Sequence, residues 1–104
     1  MAKTIYHGEL EGSTDAKQMP SVNYRWGYIK AATDNSGNVY VGSSSDVALA
    51  STDTNTTTGL PLDADDVMLI DYLPLIAGAH PNLSEHWYIT DNAGDEAMYY
   101  LVDW

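Results

Sequence analysis

The chain of 104 residues has no cysteine. That excludes a disulfide framework and any thiolate metal site. It fits synthesis in a reducing compartment without demanding one. Phenylalanine is absent too. Cations are scarce: four Lys and Arg face fifteen Asp and Glu, for a net charge of −11. Such a balance repels phosphates, so neither nucleic acid nor an anionic membrane surface is expected as a partner. The acids are scattered along the chain, as on a solvated surface that keeps a β-rich protein dissolved. No apolar stretch approaches the roughly 20 residues of a membrane span. The opening Met1 to Gly8 carries no apolar run of the signal-peptide kind, so the mature protein is expected to begin at or next to Met1.

What is present is turn chemistry and half-polar aromatics. Thr33-Asp34-Asn35-Ser36-Gly37-Asn38 precedes Val39-Tyr40-Val41, and Thr90-Asp91-Asn92-Ala93-Gly94-Asp95 precedes Ala97 to Val102. Each copy stands between two runs of β-formers. Gly and Asn tolerate positive φ, and Asx side chains bond back to the backbone, so the repeat predicts two β-hairpins of one design. Eight Tyr and three Trp supply large apolar faces with a polar handle, suited to half-buried strands and contact surfaces.

Alternation and turn spacing predict six to eight short strands in a single small antiparallel β-sandwich, residues 1–104, jelly-roll-like or immunoglobulin-like. A domain of this size buries roughly 60–65% of its unfolded surface and builds one thin core. Residues 1–21 read as an N-terminal strand or arm and a loop. Val22 to Ala32 reads as a strand with Tyr24, Trp26, Tyr28 and Lys30 on one face. Residues 51–59 contain no apolar side chain before Gly59 and read as a flexible Thr-rich surface loop. Asp63-Ala64-Asp65-Asp66 is an acidic turn, and Val67 to Leu73 a strand with Val67, Leu69 and Leu73 on one face. The segment to Leu83 leaves room for one helical turn. His86 to Thr90 and Glu96 to Trp104 complete the final hairpin. Its last strand is apolar on both faces, with Tyr99 and Leu101 opposite Met98, Tyr100, Val102 and Trp104, which calls for cover on both sides.

Reactive constellations are not legible. The acidic turn lacks the Gly and Glu of an EF-hand loop. His7, His80 and His86 lack the spacing of a zinc helix. No nucleophile elbow, phosphate loop or dinucleotide fingerprint occurs. The expectation is a protein without enzymatic activity, metal or cofactor. Trp26, Tyr28, Trp87 and Tyr88 are candidates for a sugar platform, a rival reading as a carbohydrate- or cell-surface-binding sandwich.

From Val22 onward the order of segments is distinctive: an aromatic strand, Asn38-Val39-Tyr40-Val41-Gly42, a Thr-rich loop, Gly59-Leu60-Pro61-Leu62, an acidic turn, Trp87-Tyr88-Ile89 and Tyr99-Tyr100-Leu101-Val102. This order resembles small virion structural proteins of tailed bacteriophages, of the capsid decoration (cement) type. The segment between Leu73 and Leu83 is longer than that pattern. The resemblance implies a non-enzymatic sandwich that binds the major capsid protein on the outside of the shell as a homotrimer and is located in the virion. Another accessory part (neck, tail tip or fibre attachment) is the alternative. Met1 to Leu10 and the Thr-rich loop are expected to reach the shell, and Trp26, Tyr28, Tyr100 and Trp104 are the candidate contacts between chains.

Overall fold

The computed structural model describes residues 3–49, 59–71 and 81–103. The Thr-rich loop and Trp104 lie outside them. Among the described residues eight strands form: β1 (Thr4–Leu10), β2 (Lys17–Gln18), β3 (Trp26–Ala31), β4 (Val39–Gly42), β5 (Leu60–Leu62), β6 (Val67–Asp71), β7 (Trp87–Thr90) and β8 (Ala97–Asp103). One 3₁₀ turn, Leu83–Glu85, precedes β7. Asn82 caps it through the Ser84 N–H, and the Glu85 side chain returns to the Asn82 N–H. The strands build two antiparallel four-stranded sheets, β1-β8-β3-β6 (sheet I) and β2-β7-β4-β5 (sheet II).

This order has a simple origin. β1 pairs with β8, β2 with β7, β3 with β6 and β4 with β5. That is a long hairpin of four strand pairs, rolled up until β8 meets β3 and β7 meets β4. The topology is a jelly roll, which decides between the two sandwiches that alternation alone left open. The inner faces meet over Leu10, Ile29, Ala31, Val39, Val41, Leu62, Ile70, Tyr88 and Leu101.

Two expectations are corrected. The repeated segments do not close hairpins. Each carries the chain from one sheet to the other, β3 to β4 and β7 to β8, because a rolled ribbon turns its corner with both strands at once. Nor do their glycines use left-handed backbone. Among described residues other than glycine, only Asp65 has positive φ, at 71°, and no glycine is in that region. Gly37 is small for another reason: a Cβ there would press on Asp91, Asn92 and Asp95 of the second copy.

The two copies lie side by side and clasp. The Asp95 carboxylate, 3% exposed, accepts the N–H groups of Ser36 (3.0 Å) and Gly37 (3.1 Å) and the side-chain amide of Asn92 (3.0 Å). Asp91 accepts the Asn38 N–H at 2.8 Å. Asn35 pairs with the backbone of Glu96 in both directions, each at 2.8 Å. The neighbouring corners join the same belt. Ser13 and Thr90 exchange backbone and hydroxyl bonds, with Thr90 N–H to Ser13 carbonyl at 2.7 Å. Gly12 rests on the carbonyls of Ala93 and Asp95, where a Cβ has no room. On the other flank, the Thr33 hydroxyl donates to Asp65 at 2.6 Å, and Asp66 accepts from the Ala31 N–H at 3.0 Å.

The second strand starts later than alternation implied. Val22 to Tyr24 leaves sheet I and runs beside residues 81–83: Tyr24 N–H meets the Pro81 carbonyl at 3.0 Å, and Asn23 bridges Asn82. A bend at Arg25 separates this stretch from β3. Tyr24 therefore enters the core instead of sharing a face with Trp26 and Tyr28. Two further differences are small. Lys17–Gln18 forms β2 inside the expected loop, because two backbone pairings to β7 suffice without any apolar signal. Val47 and Leu49 suggest a short strand or extension over Asp46 to Ala50; the described residues there belong to none of the eight strands, yet Val47 is buried with Tyr40 and Ile89.

Asp95→Ala is expected to cost about 2 kcal/mol, because it takes the acceptor from two backbone donors in a part-buried corner. Asp34→Ala, exposed at the neighbouring turn, is expected to cost less than about 0.5 kcal/mol. Urea unfolding with unchanged slope measures both.

Candidate contact surface on sheet I

Strand register places three rows of side chains on the outer face of sheet I. Ile5, Val102 and Trp26 stand in the first, His7, Tyr100, Tyr28 and Leu69 in the second, and Glu9, Met98, Lys30 and Val67 in the third. The inward positions of the same strands carry Leu10, Gly27, Ile29, Ile70 and Leu101, so alternation divides core from surface except at Val102, outward yet buried, and Tyr6, inward yet exposed. The middle of the outer face is aromatic. Tyr28 and Tyr100 stack with ring centroids 5.6 Å apart and planes 15° apart, and Trp26 meets Tyr28 edge-on at 6.5 Å. Such pairs add about 0.5–1.5 kcal/mol each beyond burial and hold the rings in place. Around them the aliphatic side chains stay open: Leu69 is 61% and Ile5 51% exposed, with Val67 and Trp26 exposed as well.

Three of the four residues expected at a contact, Trp26, Tyr28 and Tyr100, thus share one cluster. Trp104 lies outside the described residues. Ile5, Val67 and Leu69 extend the surface. Alternation had paired Val67 with Leu69, but nothing in the chain said that this pair faced outward. Glu9 and Lys30 put the charge of the described residues in the third row. Lys30 leans to Asp65 at 3.7 Å.

The proposed sugar platform does not assemble. Trp26 and Tyr28 belong to sheet I, whereas Trp87 and Tyr88 belong to β7 in sheet II. Tyr88 is core, its hydroxyl donating to the Glu11 carbonyl at 2.7 Å. Trp87 packs half-buried against Tyr40, Val47 and Ile89.

Other polar groups serve the fold. Among the described residues no group of three or more His, Asp or Glu is placed to hold a metal ion. The acidic turn spends its carboxylates locally: Asp66 accepts the Asp63 N–H at 2.9 Å, and Asp65 takes the Thr33 hydroxyl. His86 sits 3.4 Å from the Tyr24 hydroxyl. Burial lowers its pKa, against the opposing pull of Glu85. Burial raises the pKa of Tyr24, and Glu85 adds to that rise. A shallow cleft of about 260 Å³ opens between Glu9, Glu11, Gly12, Ala93, Gly94 and Glu96. There the hydrogen bond to Glu9 and the charge of Glu9, followed by Asp34 and Glu11, hold the Glu96 carboxyl above its usual range.

Comparison with family models, characterised proteins and solved structures finds no match to this chain.

The raised Glu96 carboxyl means that the folded state holds that proton more tightly than the unfolded chain does. Its contribution therefore favours folding at acid pH and is lost as pH rises through the folded value. Glu96→Gln is expected to raise the melting temperature slightly at pH 7. The gain shrinks in high salt and disappears where both carboxyls are protonated. Thermal melts across pH and salt check this.

Proposed function

We propose that the protein is a non-enzymatic structural component of a tailed-bacteriophage virion, binding the outer face of the capsid and stabilising the shell. The observation that carries this reading is the outer face of sheet I. Stacked tyrosines, an edge-on tryptophan and open aliphatic side chains form one apolar surface on a chain of net charge −11. A soluble β-protein with acid spread elsewhere gains from such a surface only when something covers it. The face is built on continuously paired strands, which suits a fixed contact with a large, ordered protein surface. The segment order from Val22 onward, with its resemblance to decoration proteins, supports the choice of the major capsid protein as the partner. The jelly roll is an architecture that viral capsid domains use, though a fold by itself assigns no role.

The mechanism is adhesion. Each copy adds modest contact area across neighbouring shell subunits. Many copies acting together oppose the outward pressure of packaged DNA, because multivalent attachment multiplies weak contacts.

Cosedimentation with expanded empty shells of the cognate phage tests the reading. Saturable, stoichiometric binding is expected. Leu69→Asp is expected to weaken it at least about tenfold, as for a contact residue that burial in the complex desolvates, without lowering the melting temperature. Leu60→Asp, exposed on sheet II, leaves binding unchanged. Absence of binding by the unaltered protein refutes the proposal.

A further inference from the structure

Sheet edges expose unpaired backbone groups, and proteins usually blunt them by shortness, proline, charge or a bulge. Two of the four edges here are blunted in this way. β2 has only two residues, and β5 has three with Pro61 at its centre. β6 has five. The outlier is β1. It is seven residues long, contains no proline, and pairs with β8 residue for residue without a bulge from Thr4 to Leu10. Its free side is uncovered: residues Thr4 to His7 are all exposed. Both faces of this half-strand carry large apolar groups, Ile5 outward and Tyr6 (41% exposed) inward. An exposed, regular, two-sided apolar edge is a template for another strand.

The sequence of β1 selects which strand. Arranged antiparallel to a second copy of itself about Tyr6, it sets Lys3 opposite Glu9, Thr4 opposite Gly8, Ile5 opposite His7 and Tyr6 opposite its counterpart. Two-fold symmetry produces each unlike pair twice. Lys3 and Glu9 share the parity of the outer face, so directly opposite positions bring unlike charges together on one side of the sheet. Sliding the pairing two residues one way sets Lys3 opposite His7. Sliding it two residues the other way sets Glu9 opposite Ile5. Of these three registers, only the Tyr6-centred one sets Lys3, the residue just before the strand, opposite Glu9. It also brings a lysine to the acidic cleft, where Glu9 and Glu96 crowd each other. In a chain with four cations, that is an economical use of one.

We infer that the free edge of β1 pairs antiparallel with β1 of a second copy about a two-fold axis at Tyr6, fusing the two sheets I into one eight-stranded sheet. The order is then β6-β3-β8-β1 followed by its mirror order in the partner. Because the axis stands perpendicular to the sheet, both aromatic faces lie on the same side, and the apolar surface doubles in width. This two-fold pairing stands in place of the three-fold association that the resemblance implies. It does not depend on what that surface binds.

Light scattering on the purified, full-length protein at high micromolar concentration tests the inference. The unaltered chain is expected at twice the monomer mass. Glu9→Lys sets Lys3 against a lysine at both ends of the pairing and is expected to give monomers. It also removes a repulsion with Glu96, so loss of folding does not account for the change, and circular dichroism confirms the fold. The double exchange Lys3→Glu with Glu9→Lys restores opposite signs and is expected to restore the dimer. A monomer or a trimer for the unaltered protein overturns the inference. So does a dimer that survives Glu9→Lys, or a double exchange that stays monomeric. Shell binding is scored separately, so failure of the edge pairing is distinguishable from failure of the shell reading.

Discussion

The buried carboxylate of Asp95 holds the roll together. A ribbon of paired strands that passes from one sheet to another must turn both strands at one place, and the turning residues leave backbone N–H groups without sheet partners. Buried donors of this kind are costly unless something accepts from them. Asp95 satisfies Ser36, Gly37 and Asn92 together, while Asp91 satisfies Asn38. The repeat in the chain is thus one junction supplied twice, each copy completing the other. Ser13 with Thr90 and Thr33 with Asp65 continue the junction sideways, so the four corners form a single hydrogen-bonded belt at one end of the sandwich.

With the corners set, the sheets follow. β3 and β8 lie beside each other because β4 and β7 do, and the stacking of Tyr28 on Tyr100 is a consequence of that pairing. The belt therefore acts at a distance on the candidate contact surface: it fixes the register that brings aromatic residues 72 positions apart in the chain into one row. The thinness of the domain acts in the same direction. Its least extent is 18 Å against a length of 45 Å, which leaves space for little more than two sheets about 10 Å apart. One apolar layer fills the middle, and any further apolar side chains on the strands must face out. On sheet II part of that surplus, Tyr40 and Ile89, is covered by Val47, whereas on sheet I it stays open.

Fold and contact surface were legible to different depths. Strand positions for β1, β4, β6, β7 and β8 are plain in the alternation of the chain, and so is the acidic turn between β5 and β6. Tyr24 was misplaced because alternation continues through a bend that only the bridge from Asn23 to Asn82 creates. The paired turns looked like hairpins because an Asx-Gly turn signals reversal of the chain, and reversal within a sheet and reversal between sheets use the same local chemistry. Parity points to Trp26, Tyr28 and Tyr100, and the structure brings these three rings together. It does not single out Leu69 and Val67, since parity groups residues on a face without saying which face looks inward.

The amino-acid sequence by itself determined the all-β class, the absence of thiol chemistry, the strong negative charge and the division of each strand into two faces. These depend on composition and on the two-residue period of extended backbone, both local properties. Tertiary structure alone decided the jelly-roll order, the clasp of the two turns, the burial of Tyr24 and Tyr88, and the side of sheet I that faces outward. Each of these rests on which distant strands pair, and pairing is settled by the combined burial and hydrogen bonding of the whole roll, which no local segment encodes.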